Sequence, residues 1–464
     1  MKKLKLYKLI LVPGLLLSLQ SCFVAKDYSQ PQAVEAESYR TDLLTTDTLS
    51  MAEVSWTEMF TDPILRSYIE EGLENNIDIR IAIQQILAAE AYAKQGKAGY
   101  LPSLNADVQA AHQKTSANGQ FGVSENVTQF DLSANLSWEA DIWGKIRSQD
   151  RAFQANYLQS VAAHQAVKTE LIANIATFYY QLLAIDEQIR ITKQTIETRG
   201  SSLETTSALK DAGMVTEVAV KQTEAQLYRA QAVLLELENS ARLLENTLSI
   251  LLGHAPHEIN RSSLIEQVIT TELKIGVPAQ LLRNRPDVIA AEFNLRNAFE
   301  LTNVAKSNFY PSLRLSASGG LQSMEFEDWF SANSLFAGVV GSLAQPIFNQ
   351  RQIKTQYEVS QAQQEIAFLN FRRAILNASR EVSDALYNYE TAEERIDIKT
   401  NEYEAYALAT SYSEELLNNG LANYLEVLTA RENALNSQLE LINAELEKLT
   451  SIVELYRALG GGWK

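Results

Sequence analysis

The sequence predicts a mainly α-helical protein with a membrane β-barrel part, in which each protomer contributes a long coiled-coil helical tunnel segment and four β-strands. Three observations predict this fold class: a secretory leader, an internal two-fold repeat, and long heptad runs that alternate with short strand patterns. Glycine (19) and proline (9) are scarce among 464 residues, which favours long helices. The net charge of −17 argues against a nucleic-acid partner, because binding phosphates requires a basic surface.

The N-terminus has the pattern of a secretory signal peptide over residues 1–21, with four lysines before an apolar run from Leu9 to Leu19. Leu-Gln-Ser-Cys follows, and Cys22 is the only cysteine of the chain. The stretch resembles a lipoprotein cleavage site, so we expect Cys22 to be the acylated first residue of a lipidated segment and belt over 22–73. No other segment has 18 consecutive apolar residues, so any membrane spanning must be done by strands.

An internal repeat organises the rest of the chain into units of about 207 residues. Residues 75–104 align without a gap with 284–313 at an offset of 209, and both segments end in Pro-Ser-Leu. Further on, Gly213 aligns with Gly420 at an offset of 207. We therefore predict a first repeat over 74–283 and a second over 284–464, because glycines and prolines that hold register over a full unit indicate duplication.

Each repeat begins with a helix that leads into a β-hairpin. The first helix is predicted over 74–99, and Pro102 and Pro311 mark the helix-to-barrel transitions, since a helix cannot run through proline without losing a hydrogen bond. Apolar and polar residues then alternate with a period of two over about ten residues, the length of a membrane strand. The sequence predicts hairpins over 103–139 and 312–345.

Heptad patterns follow each hairpin and predict two long helices over 146–210 and 353–418. Gly213 and Gly420 fit the left-handed residue that ends a helix, and return helices are predicted over 214–252 and 421–459, the latter followed by a C-terminal tail. The first long helix would measure roughly 98 Å at about 1.5 Å per residue. Its length equals that of the pre-hairpin helix and the return helix together, so we expect those two to stack end to end beside it, with a belt segment at mid-height.

Four segments carry a resemblance to a known family: WTEMFTDPILRSYIEEGLENNIDI (56–79), VPAQLLRNRPDVIAAE (277–292), VAKSNFYPSL (304–313) and LYRALGGGW (455–463). The chain resembles the TolC-like outer-membrane efflux factors, in the lipoprotein (OprM/NodT-type) branch that serves tripartite exporters. The resemblance covers essentially the whole mature chain. It implies a homotrimer with a 12-stranded barrel and a 12-helix tunnel. From strand counting alone, a dimer with 8 strands and a trimer with 12 both remain open.

The resemblance also implies a function and partners. We expect a passive exit duct for drugs or other small toxic compounds, anchored by lipid in the cell outer membrane, with its helical tunnel extending into the periplasm. A periplasmic adaptor (membrane fusion) protein and an inner-membrane pump, of resistance-nodulation-division type, would supply the connection and the energy. The sequence does not indicate the cargo.

Two sets of site residues follow from the same resemblance. The Gly-centred turns receive the adaptor in this family, which implies contacts at Ala212, Gly213, Met214, Asn419, Gly420 and Leu421; the alternative is that each turn only stops a helix. Related channels close with a ring of leucines and, four residues on, a ring of aspartates. Leu425 matches the leucine, position 429 is threonine, and Glu426 stands beside Leu425. The alternative for Leu425 is an ordinary coiled-coil seam position, because Leu421, Leu425 and Leu428 keep seam spacing.

Catalytic, cofactor and metal sites are not predicted. Paired cysteines, HExxH, a phosphate-binding loop and a nucleophile elbow are all missing from the sequence, and His254 and His257 have no ligand cluster in the sequence around them. We therefore expect no enzyme activity and no cofactor. Two alternatives remain: the duct of a type I protein-secretion system, and a periplasmic coiled-coil scaffold without a channel. The leader and the four alternating strands argue against the scaffold.

Overall fold

A computed structural model describes residues 24–31, 50–118, 126–267, 269 and 280–464. The signal peptide and Cys22 lie outside the described residues, so their processing stays a prediction. The chain forms two compact units. Unit 1 contains the described parts of Met1–Gln32, Ile86–Ser160 and Ala291–Phe371, and unit 2 contains those of Ala33–Gln85, Val161–Ala290 and Arg372–Lys464.

Two helices, α1 (Trp56–Met59) and α2 (Pro63–Asn75), come before the helix that leads into the first hairpin. The first repeat then contains α3 (Ile77–Ala98), β1 (Ser103–Lys114), β2 (Asn126–Ala140), α4 (Lys145–Asp211) and α5 (Glu217–Leu251). Short 3-10 turns lie at Met51–Glu53 and Leu264–Glu266. The long helix α4 and the return helix α5 are the two heptad segments predicted from the sequence.

The short helix α6 (Leu281–Asn284) comes before the helix that leads into the second hairpin. From that helix onward the second repeat has the same order of helices and strands as the first: α7 (Pro286–Ser307), β3 (Ser312–Ser323), β4 (Leu335–Ala344), α8 (Gln352–Asn418) and α9 (Tyr424–Ala458), with a 3-10 turn at Ala332–Ser334. In the part of the chain that the structure describes, no helix is both long enough and apolar enough to cross a membrane.

The lengths of equivalent helices are identical in the two repeats. Helices α3 and α7 have 22 residues each, α4 and α8 have 67, and α5 and α9 have 35. Their bounds keep the offset of 209 before the hairpins and 207 after them. The mainly helical fold class with four strands is confirmed.

Three predicted helix starts were wrong. The segment 74–99 is not one helix, because α2 ends at Asn75 and α3 begins at Ile77. Asn76 interrupts it: its side-chain Oδ1 accepts hydrogen bonds from the backbone N–H of Asp78 and Ile79 at 2.8 and 3.2 Å, as a helix N-cap does. The return helices begin at Glu217 and Tyr424 rather than at 214 and 421, because an extended N-cap residue follows each glycine turn.

The four strands of unit 1 form one antiparallel sheet in the order β1-β2-β3-β4. Ser103 pairs with Ser137, Leu132 with Leu321, and Leu313 with Leu343. Alternate side chains are apolar and uncovered in the single chain, including Leu104 at 70% exposure and Val339 at 72%. The sheet therefore presents an apolar face, as the alternation of residues predicted.

In unit 2, each return helix ends against the start of a pre-hairpin helix. Asn76 Nδ2 donates to the carbonyl of Leu251 at 2.9 Å, and Gly253 adopts a φ of 84° so close to the Asn75 carbonyl that a Cβ would lie 2.6 Å from it. In the second repeat, Trp463 Nε1 donates to the carbonyl of Asn284 at 2.9 Å. This is the end-to-end stacking expected from helix lengths.

A buried carboxylate ties the belt residues of unit 2 to this core. Asp62 caps α2 through Oδ1, which accepts from the N–H of Ile64 at 2.8 Å. Its Oδ2 accepts from the hydroxyls of Tyr179 at 2.8 Å and Ser262 at 2.5 Å, and from Gln267 Nε2 at 2.9 Å. Burial acts to raise the pKa of Asp62, but these hydrogen bonds outweigh it and leave the pKa below its ordinary value.

Candidate functional site

The two turns that connect long and return helices have the same backbone geometry. Gly213 has φ 74° and Gly420 has φ 70°, the left-handed region that glycine reaches at little cost. The N–H of Met214 donates to the carbonyl of Leu209, and the N–H of Leu421 to that of Leu416, both at 2.8 Å. These are Schellman-type helix ends, and they explain why glycine stands at both positions.

The turns leave large apolar side chains mostly exposed in the single chain. Met214 is 73% exposed and Leu421 is 76% exposed, and Ala212 and Asn419 are also exposed. A Cβ added at Gly213 or Gly420 would meet no atom within 4 Å. Both turns therefore present an accessible apolar tip, and space around the glycines does not limit which side chain they could carry.

Glu426 is hydrogen-bonded to the N-cap residue of the return helix α9. Asn423 is the N-cap of this helix, and its Oδ1 accepts from the N–H of Glu426 at 3.1 Å. In return, Asn423 Nδ2 donates to Glu426 Oε1 at 3.0 Å. The N-cap of the equivalent helix α5 is Thr216, whose side chain makes no cap bond. The carboxylate of Glu426 thus takes part in a reciprocal cap, similar to a capping box.

Leu425 lies on an open face of α9 in the single chain. Its side chain is 56% exposed, whereas Val427 and Leu428 are only 1% and 3% exposed. Val427 and Leu428 are therefore packed against the rest of the single chain, and the Leu425 side chain is not. The Leu425 side chain is therefore accessible to solvent or to a second copy of the chain.

An ion network joins helices of both repeats roughly 20 Å along the helices from these turns. Arg199 of α4 is 4% exposed, and its guanidinium pairs with Glu432 of α9 at 2.8 Å and donates to the carbonyl of Gln226 in α5 at 2.7 Å. Glu432 also accepts from Arg229 at 3.0 Å. Because Arg199 is buried, its charge is compensated by this network rather than by water.

A second network links α8 and α9 to α4. The guanidinium of Arg431 pairs with Glu414 at 2.7 Å and donates to the hydroxyl of Ser202 at 2.5 Å. The hydroxyl of Thr223 in α5 donates to that of Tyr424 in α9 at 2.9 Å. The ends of four helices are thus connected by specific polar contacts.

Pro102 and Pro311 lie between a helix and a strand, in the segments that separate α3 from β1 and α7 from β3. Tryptophan side chains bind the backbone beside each proline. Trp138 Nε1 donates to the carbonyl of Tyr100 at 3.0 Å, and Trp143 Nε1 donates to that of Pro311 at 2.8 Å. Both transitions are therefore fixed by indole hydrogen bonds, a type of contact that suits residues at a membrane interface.

The residues that follow Cys22 are held in unit 1. Asn303 receives a hydrogen bond from the N–H of Lys26 at 3.3 Å and donates to its carbonyl at 2.9 Å. Asp27 pairs with Arg151 at 2.9 Å, and a Cβ at Gly144 would lie 2.9 Å from the Cβ of Ala25. The segment 24–31 is therefore fixed beside the start of α4, within the unit that contains the strands.

The two histidines of the belt segment make polar contacts with other parts of unit 2. His254 Nε2 lies 2.6 Å from Glu71 Oε1, and His257 Nδ1 lies 3.0 Å from the carbonyl of Ala255. Over the described ranges, no group of three His, Cys, Asp or Glu side chains is placed to hold a metal ion.

The sequence matches the model of the outer membrane efflux protein family over residues 68–254 and 277–461. The chain belongs to this family. The two matched segments correspond to the two repeats, so the family unit is present twice.

Individual members of the outer membrane efflux protein family are similar over nearly the full length. The solvent efflux pump outer membrane protein SrpC of Pseudomonas putida is 28% identical over 457 residues, which cover 97% of each chain. The probable outer membrane lipoprotein SilC of Salmonella typhimurium is 25% identical and covers 97% of this chain and 98% of its own. The solved outer-membrane channel OprN is 26% identical, with a TM-score of 0.88 over 95% of this chain and 100% of its own.

Membership places the protein in the outer membrane as a component of an efflux system, and it confirms that the chain is not an enzyme. The ion networks and the tryptophan hydrogen bonds were not predicted from the sequence. One signal was present: Arg199 interrupts an apolar heptad pattern, and a charged residue in a seam indicates a buried partner. Its partner Glu432 lies in the other repeat, so only the fold brings them together.

Proposed function

We propose that this chain is the channel of a tripartite efflux system, a passive homotrimeric exit duct for drugs or other small toxic compounds. The observation that carries the proposal is the pair of repeats with equal helix lengths, in a chain whose fold matches the channel OprN over 95% of its length. Twelve helices about 9 Å apart form a ring roughly 35 Å across. Subtracting one helix diameter of about 10 Å leaves a bore of roughly 25 Å, which admits drug-sized molecules.

The proposed partners are a periplasmic adaptor and an inner-membrane pump of resistance-nodulation-division type. A channel without a nucleotide-binding or catalytic motif needs energy from elsewhere. The exposed tips at Met214 and Leu421 offer an apolar surface on which adaptor hairpins can dock. Relatives along 97% of this chain are named for solvent efflux, which supports small hydrophobic compounds as cargo.

Lipid anchoring at Cys22 completes the proposal. The clamp on Lys26 and Asp27 holds the segment after Cys22 in the same unit as the strands, where an acyl chain could reach the membrane that the strands cross. SilC, a relative of similar length, is named a lipoprotein. The lipid would guide sorting, while the apolar face of the strands supplies the membrane affinity.

Gene deletion with complementation tests the function. Cells without the protein should accumulate an efflux dye and become more sensitive to solvents and antibiotics, and plasmid-borne protein should restore both. In planar bilayers, purified protein should form channels. Unchanged dye accumulation together with loss of one secreted polypeptide would instead support the type I secretion duct.

A further inference from the structure

The internal repeat contains information about how a second copy of the chain binds. Within unit 2, the long helix α4 lies between two return helices. Lys193 of α4 pairs with Glu238 of α5 at 3.4 Å, and Gln188 of α4 donates to Asn443 of α9 at 2.8 Å. The equivalent long helix α8 pairs with α9 through Arg395 and Glu447. Helix α4 thus contacts both return helices of its own chain. By the repeat, the contact of α4 with α9 corresponds to a contact of α8 with α5, and a second copy of the chain can supply that α5.

Burial shows which face of α8 is uncovered. Ile191 and Thr169 of α4 are 3% and 7% exposed, whereas their equivalents 207 positions later, Ile398 and Leu376, are 64% and 51% exposed. Unit 1 has the same contrast between Ala152 at 1% and Val359 at 49%. The face is more apolar in α8 than in α4, yet it is exposed in the single chain. Exposed aliphatic side chains in register along a helix indicate an interface.

The return helices show the reverse face of the same contact. Ile442 of α9 is 4% exposed, and its equivalent in α5, Leu235, is 68% exposed. Ile250, near the end of α5, is 57% exposed. Helix α5 therefore has exposed apolar side chains on one face. The equivalent position in α9, Ile442, is buried within the chain.

We propose that α8 of one copy packs against α5 of the next copy in the register that α4 and α9 use within one chain. Gln188 and Asn443, which are hydrogen-bonded within one chain, are equivalent by the 207-residue offset to Arg395 and Glu236. In the proposed contact, Arg395 of one copy therefore faces Glu236 of its neighbour. The equivalent positions carry charges of opposite sign where α4 and α9 have neutral amides, and Glu236 is exposed. Arg395 would bridge Glu447 of its own chain and Glu236 of the neighbour, while Ile398 and Leu235 meet beside them.

The contact is heterologous, since each copy offers an α8 face and an α5 face, and such contacts form a closed ring when the rotation between copies closes. This inference rests on the proposed homotrimer and adds to it the contact residues and their register. It also assigns a role to Glu236, a carboxylate for which the fold of the single chain gives no other function.

Chemical crosslinking tests the register. The pair Arg395→Cys with Glu236→Cys, treated with a short bismaleimide in purified full-length protein, should give dimer and trimer bands in denaturing gels. The matched pair Gln188→Cys with Asn443→Cys occupies equivalent positions within one chain and should give a crosslink only inside the monomer, identified by peptide mass. Each single variant should give no band above the monomer, which excludes crosslinks through Cys22.

Charge reversal gives an independent measure of the same contact. Arg395→Glu and Glu236→Arg should each reduce severalfold the fraction of oligomer that survives dilution in mild detergent, and the double variant should recover part of it. A trimer by native mass spectrometry that forms no interchain crosslink at these positions would overturn the register alone. A protein that stays monomeric in every detergent and in membranes would overturn both the register and the proposed trimer.

Discussion

Arg199 and Glu432 come from different repeats, 233 positions apart, and form an ion pair of 2.8 Å in which the arginine side chain is only 4% exposed. The pair joins α4 and α9. Because Arg199 also donates to the Gln226 carbonyl of α5, a single buried cation connects three helices. Leu425, which with Glu426 is the candidate gate, lies seven residues before Glu432 in α9.

Removing the carboxylate should therefore be costly. We expect Glu432→Ala to destabilise the protein by about 3–5 kcal/mol, because Arg199 would keep a buried charge without its anion. Thermal unfolding followed by circular dichroism in detergent measures this. The control is Asp384→Ala, which breaks the exposed pair with Arg380 and should cost about 1 kcal/mol or less. Equal losses for both variants would contradict a special role for the buried pair.

Leu425 and Leu428 offer a matched test of the gate. Leu425→Ala should leave the trimer stable and raise the resting conductance in planar bilayers, since this exposed leucine is proposed to close the bore. Leu428→Ala removes a side chain that is 3% exposed and should destabilise the protein by about 2–5 kcal/mol. If Leu425→Ala melts early and conducts like the native channel, the gate lies elsewhere.

The glycine turns are expected to dock the adaptor. Gly213→Trp and Gly420→Trp should form stable trimers, because nothing in the chain lies within 4 Å of an added Cβ and the left-handed backbone costs roughly 1–2 kcal/mol per residue. Their crosslinking to the adaptor in cells should fall sharply. Gly213→Asn and Gly420→Asn, which tolerate the same backbone with a small side chain, are the controls. Undiminished crosslinking of the tryptophan variants would rule out docking at these turns.

Acylation of Cys22 has a direct readout. Mass spectrometry of the N-terminal peptide should show a lipid-modified Cys22 as the first residue. Cys22→Ala should impair sorting to the outer membrane more than folding, because the apolar face of the sheet remains. An unmodified peptide that begins at another residue would disprove the anchor.

Asp62 should contribute a pH-dependent part of the stability. Its folded pKa lies below the ordinary value of 3.8, so its contribution is present above that value and is lost as the pH falls through the folded pKa. We expect Asp62→Asn to lower Tm at pH 7, and the difference from the native protein to shrink below about pH 4. The exposed variant Asp384→Asn should show little change at either pH. A constant difference across this range would contradict the argument.

The sequence predicted the long helices to within one residue at each end, because Gly213 and Gly420 end them by a local backbone requirement. The break at Asn76 was not predicted, since its side chain binds the distant carbonyl of Leu251 and local propensity does not contain that partner. The same reason applies to the site. The tips follow from glycine, whereas the ion pairs of Arg199 and Arg431 join residues far apart in the sequence.

The identical helix lengths of the two repeats limit how this protein can evolve. An insertion of one helical turn into α4 alone would shift the Gly213 turn away from the Gly420 turn. It would also separate the charged side chains of α4 from their partners, because α5, α8 and α9 would keep their lengths. Side chains can therefore diverge between the halves, as Gln188 and Arg395 have done, but length must change in both halves together. Insertions and deletions in the helices are thus expected to occur in both repeats, at equivalent positions and with equal lengths.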